Sequence, residues 1–197
     1  RTFCQNDNQY VSLIAATMTG GEAADEFEGA RLTSRLSGYA EGTIERTIMQ
    51  SLSLFEFIGF KDDRRVELEF ILTNKHITSL REENVVIINT AAAIIKAGIK
   101  RGTFVVRGRT ISITPRSMAN QLIQEWLDSV DENRFLEVLA SIESSPYKER
   151  LMQELHDRFK YLGTSAEAVA IVERILKTGS VFEKMEVLNT NEGAMLL

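Results

Sequence analysis

Cysteine, histidine and proline are scarce in this chain, and each scarcity narrows what the protein can be. The one cysteine, Cys4, permits neither an intrachain disulfide nor a thiolate-based zinc cluster. The only histidines, His76 and His156, lie far apart and have no partner at metal-ligand spacing. Two prolines and 12 glycines exclude collagen-like, linker-like and low-complexity character. No apolar run reaches the roughly 18–20 residues that span a bilayer, and the first residues lack the basic-then-apolar pattern of a secretion signal. The compartment these features point to is a reducing cytosol, away from membranes.

Acidic residues are missing from one long stretch. Between Asn84 and Gln124 there is no Asp or Glu, whereas Lys96, Lys100, Arg101, Arg107, Arg109 and Arg116 all fall there. Both flanks are acidic, so the net charge of −5 conceals a basic middle. Such a stretch suits phosphate groups or an acidic neighbouring protein surface. The bland alternative is a solvated basic face.

What remains is ordinary globular material. A length of 197 residues, 44% hydrophobic and 26% charged, supports a real core in one large domain or two small ones. The start at Arg1 without methionine and the apolar finish at Gly193–Leu197 read as the edges of a piece cut from a longer protein.

Helical spacing dominates. Short helices are expected over 9–19, ending at Gly20-Gly21, and over 22–36, broken at Ser37-Gly38. A third runs over 41–57, with Ile44, Ile48, Leu52 and Phe55 as its buried stripe and Ile58-Gly59-Phe60 closing it. Asp62-Asp63 supply capping carboxylates for a fourth over 62–73. Val85-Val86-Ile87-Ile88 has strand propensity, and a helix follows from about Asn89 to Ala97. Thr103–Val106 and Thr110–Ile113 flank Arg107-Gly108-Arg109 as a β-hairpin. Pro115 suits the first turn of the next helix. From there the chain reads as helices near 116–129, 131–142, 146–162, 165–178 and 180–188, an array of stacked hairpins without a repeated consensus. The expected fold class is therefore mainly α: a winged-helix-like module with one short β-hairpin, then a solenoid-like helical array. The domains are a helical segment over 1–40, the winged-helix-like module over 41–115 and the array over 116–197.

Three helices followed by a two-stranded ribbon is the order of a winged helix. In DNA-binding versions the third helix enters the major groove with polar and basic side chains. Here that helix reads Asn89-Thr90-Ala91-Ala92-Ala93-Ile94-Ile95-Lys96, with one cation and little hydrogen-bonding capacity. Packing on protein suits it better than lying in a groove, although Arg107 and Arg109 on the ribbon can reach phosphates.

The string Gly98–Pro115, with Arg107-Gly108-Arg109 at its centre, resembles the wing of bacterial STAND NTPases, and Leu52-Ser53-Leu54-Phe55 with Ile58-Gly59 is similar to a stretch of the same proteins. The resemblance covers about residues 45–126. It implies a regulatory and sensor-proximal part of a multidomain switch of the kind found in anti-phage defence. In such a switch a winged helix restrains an NTPase core and a helical array senses a target. The implied partners are other domains of a parent chain, a protein target and further copies in a homo-oligomer. Among STAND relatives a winged-helix histidine contacts nucleotide, which makes His76 a candidate for that role. Lys100, Arg101, Arg107, Arg109 and Arg116 are the candidates for phosphate or acidic-partner contact. This chain departs from the family in having no Gly-x-x-x-x-Gly-Lys-Ser/Thr loop and no recognisable Walker B strand. ATP and Mg²⁺ then belong to a parent protein, and no cofactor, metal or catalytic residue is expected in this piece.

The alternative is a DNA-binding winged-helix regulator with a helical dimerisation domain. Of the remaining residues, Trp126 reads as core, His156 as solvent-facing on an amphipathic helix, and Asp62-Asp63 and Glu82-Glu83 as helix-start carboxylates.

Overall fold

The computed structural model describes Ser34 and residues 36–159. Within them the chain is mainly helical with one small sheet. The order is α1 (Ile44–Ser53), β1 (Ile58–Gly59), a 3-10 turn (Asp62–Arg64), α2 (Arg65–Thr73), α3 (Lys75–Thr78), α4 (Asn84–Arg101), β2 (Phe104–Arg107), β3 (Thr110–Ile113), α5 (Arg116–Ser129), α6 (Glu132–Glu143) and α7 (Lys148–Phe159). The helices expected over 9–19, 165–178 and 180–188, and most of that over 22–36, lie outside the described residues.

Local chemistry accounts for most boundaries. Thr43 accepts a hydrogen bond from the Arg46 N–H and starts α1; Asp131 does the same for α6 through the Arg134 N–H. Gly102, with φ of 78°, terminates α4 by donating to the carbonyls of Gly98 and Ile99. Gly108, with φ of 60°, forms the tip between β2 and β3, where a side chain would be strained.

Three expectations are corrected. Ile58-Gly59 does not close a helix: it is a strand, pairing antiparallel with Thr110-Ile111 and enlarging the expected hairpin to a three-stranded sheet of order β1-β3-β2. Val85–Ile88 is not extended. It forms the first turns of α4, because Ile87, Ala91, Ile94, Ile95 and Gly98 are all buried on one helical face. That burial outweighs the strand propensity of four β-branched residues. Asp62 and Asp63 do not cap α2; they lie in the 3-10 turn, and their carboxylates face Arg109 of the hairpin. The short helix α3, capped by Asn74, was not expected.

A single apolar cluster runs from Ile48 in α1 to Phe159 in α7. Trp126 of α5 is part of it, as its sequence context implied. Its indole N–H donates to the Ile77 carbonyl of α3 at 2.9 Å, and its ring meets Phe135 edge-on at 6.1 Å.

Candidate functional site

The outward side of α4 is the most unusual surface of the described residues. Burial of Ile87, Ala91, Ile94, Ile95 and Gly98 turns the opposite positions to solvent. There Val85 is 66% exposed, Val86 45% and Ile99 41%. Asn89, Ala92, Ala93, Lys96 and Lys100 are exposed with them. At 100° per residue these positions fall within an arc of about 140°, so they form one stripe. Val105 and Val106 on the adjacent edge strand β2 are also exposed. The only other large hydrophobic side chain as exposed among the described residues is Val66. A patch of this kind marks an interaction surface more often than a solvated face.

The hairpin can approach α4 because Gly98 has no side chain. A Cβ there would clash with the Phe104 ring and come within 2.8 Å of the Thr103 hydroxyl.

Most of the basic candidates are engaged within the chain. Arg109 is paired with Asp63 at 2.7 Å and lies 3.7 Å from Asp62. Arg116 meets Glu56 at 3.0 Å. Arg101 donates to the Tyr39 hydroxyl at 3.1 Å and stacks on its ring, while Arg107 lies over the Phe57 ring at 5.1 Å. Lys100, like Lys96, is exposed on the α4 stripe. The acid-free stretch of sequence therefore does not form an acid-free surface, since carboxylates from residues 56–63 fold back onto its arginines. These candidates are not gathered into one cluster.

His76 sits on α3, where its Nδ1 lies 2.8 Å from the Glu137 carboxylate of α6. His156 is half-buried rather than solvent-facing, with Nε2 shut off from solvent.

Sequence reasoning missed a second assembly, the joint between the sheet and α7. Arg158 is 1% exposed, at the end of the apolar face formed by Leu151, Leu155 and Phe159. Its guanidinium pairs with Glu56 at 3.1 Å and donates to the Phe55 carbonyl at 3.2 Å. Burial pushes its pKa down to about 10, although the Glu56 carboxylate favours the charged form. Glu154, one turn earlier, accepts the Phe57 N–H at 2.9 Å through its side chain and the Glu56 N–H at 3.1 Å through its carbonyl. Burial raises the Glu154 carboxyl above the ordinary glutamate range, and the Phe57 hydrogen bond opposes that rise. Glu67 of α2 accepts the Gly59 N–H and lies 3.3 Å from Arg150 of α7. The segment leading into β1 is thus held by α7 through both backbone and charge. The available signal was an arginine at an apolar-face position.

Among the described residues no group of three His, Cys, Asp or Glu could hold a metal ion, and no helix is long and apolar enough to cross a membrane. No family model, curated protein or solved structure matches this chain.

Proposed function

We propose that this chain is a winged-helix-type module with a helical array packed against it, working through protein contacts as the regulatory, sensor-proximal part of a STAND-type NTPase switch. Two lines of support come from the fold. The element order leads from α1 through β1 and further helices to the long α4 and then to the β2–β3 ribbon. The strand order β1-β3-β2 leaves β2 at the sheet edge, packed against α4 through Gly98 and Phe104.

One observation carries the reading: the face that a DNA-binding winged helix would turn to the major groove is here mostly apolar, Val85, Val86, Ala92, Ala93 and Ile99, with Asn89, Lys96 and Lys100 its polar members. Such a face offers almost no hydrogen-bonding groups to base edges, and only two lysines to phosphates. Burying it against polypeptide removes apolar surface from water, at roughly 25 cal/mol per Å². The buried joint between the β1 segment and α7 supplies a route by which movement of the array is felt at the sheet. His76 is offered to nucleotide bound elsewhere in the parent, and Glu137 is the partner it would exchange. The conformational switching belongs to this chain and NTP hydrolysis to the rest of the parent protein.

Lys96 and Lys100 lie exposed on that same face, and this favours duplex binding as the second reading. Titration of a labelled duplex at about 50 and about 200 mM salt distinguishes the two. The protein-contact reading expects no salt-dependent binding and no tight ATP or ADP binding by this chain. Duplex binding that falls steeply with salt and is lost in Lys96→Ala/Lys100→Ala would replace it with the DNA-binding reading.

A further inference from the structure

Strand β1 is two residues long, Ile58-Gly59, too short to stand on its two pairs with Ile111 and Thr110 alone. Its hold comes from outside the sheet. Arg150, Glu154 and Arg158 recur every fourth residue of α7 and so form one charged stripe. Glu154 accepts the N–H groups of Glu56 and Phe57, at 3.1 and 2.9 Å, and Arg158 donates to the carbonyls of Phe55 and Glu56. We infer that β1 is a conditional strand, paired with β3 only while α7 is docked, so that α7 sets the position of the ribbon tip. The inference rests on the switch reading above and names its moving part.

The charge pattern of the joint permits release. Each of the two carboxylates that the α7 arginines grip is shared with an arginine elsewhere. Glu56 meets Arg158 at 3.1 Å through Oε2 and Arg116 of α5 at 3.0 Å through Oε1. Glu67 meets Arg150 at 3.3 Å through Oε2 and Arg64 at 3.2 Å through Oε1. When α7 leaves, neither carboxylate is stranded without a counter-charge, the cost that normally holds a buried ion pair shut. What is lost is the pairing of the Glu56 and Phe57 N–H groups, which must then turn to water for partners. Arg158, 1% exposed when docked, recovers its hydration as it leaves.

The effect reaches the ribbon tip because the segment that α7 grips also cradles that tip. The Phe60 N–H donates to the Arg109 carbonyl at 3.0 Å, Arg107 lies over the Phe57 ring, and Arg109 pairs with Asp63. The base of the ribbon is held differently, by Phe104 against Gly98 of α4. Release of α7 therefore loosens residues 107–111 and leaves the base of the ribbon on α4.

The test is native-state amide hydrogen exchange on the full chain. In Glu154→Ala, exchange of residues 56–59 and of Ile111 is expected to quicken about tenfold or more, with the amides of α1 and α5 unchanged. Coupling is reciprocal. Gly59→Ala, whose methyl group meets the Arg64 carbonyl and the Glu67 carboxylate, should in turn quicken exchange along α7 while α1 and α5 stay protected. Should Glu154→Ala not fold, Arg158→Lys, which keeps the charge but not the forked donor, is expected to show the same pattern as that variant. Equal quickening in α1 and α5 means general destabilisation and overturns the inference. So does quickening at 56–59 that stops short of Ile111, or a Gly59→Ala variant whose α7 is unaffected. The exchange pattern is independent of what covers α4, so salt-dependent duplex binding would overturn the protein-contact reading alone.

Discussion

Arg158 shows how a charged side chain can occupy a core position. Its Cα lies on the apolar face of α7, and its guanidinium is stabilised by the Glu56 carboxylate and the Phe55 carbonyl. Removing one member of a buried pair costs about 3–5 kcal/mol when the other is left without a counter-charge. Glu56 keeps Arg116 at 3.0 Å, so Arg158→Met is expected to lower unfolding free energy in urea titrations by less than that, about 2–3 kcal/mol. Adding Glu56→Gln should recover part of the loss, because the half-compensated carboxylate is then gone. If the double variant is no more stable than the single one, the ion pair is not the source of the effect. Trp126 offers a smaller case. Trp126→Phe keeps most of the apolar volume but leaves the Ile77 carbonyl without its indole donor, and a loss of about 1–2 kcal/mol is expected in the same titration.

At the scale of elements, α4 and the ribbon after it form one unit. Gly98 lets β2 lie against the helix, and Gly102 ends the helix so that the chain can turn back into the strand. Gly98→Ala raises helix propensity by about 1 kcal/mol. In this position it also drives a methyl group into Phe104, and overpacking of this kind costs about 1–3 kcal/mol. The expected outcome is net destabilisation in thermal melts, against the propensity scale. A stabilised variant would mean that the ribbon moves away from the helix easily.

For the molecule as a whole, the joint between the β1 segment and α7 couples stability to pH. Glu154 has its carboxyl raised by burial above the ordinary value of 4.5. A carboxyl with a raised folded pKa binds more protons folded than unfolded, so it subtracts stability as pH climbs from the ordinary value through the raised one. Glu154→Gln keeps an acceptor for the Phe57 N–H and removes that titration. The stability of the variant relative to the parent should therefore grow as pH is taken from about 4 to about 7. A difference that stays constant across that range would place the Glu154 carboxyl in an ordinary environment.

Legibility differed among the parts of the chain. The β-hairpin and α5 were legible because alternation, a glycine tip and a proline start are local signals. The start of α4 was misread because Val85–Ile88 has strand propensity, and only the packed positions that follow show which periodicity prevails. Strand β1 was invisible: two residues carry no periodic pattern, and their pairing with Thr110 and Ile111 is a contact across the fold. The candidate cations could be named from sequence, but their partners could not. Asp62 and Asp63 lie far from Arg109 in the chain and meet it only once the ribbon folds back.

From sequence alone came the mainly helical character, the ribbon, the burial of Trp126 and the greasy nature of the segment ahead of the arginines. All of these depend on neighbours within a few residues, where spacing and propensity act. Tertiary structure decided which side of α4 faces water, which arginines are neutralised and how α7 holds the β1 segment. Those outcomes depend on distant residues brought together by burial, where desolvation makes each buried charge require a specific partner.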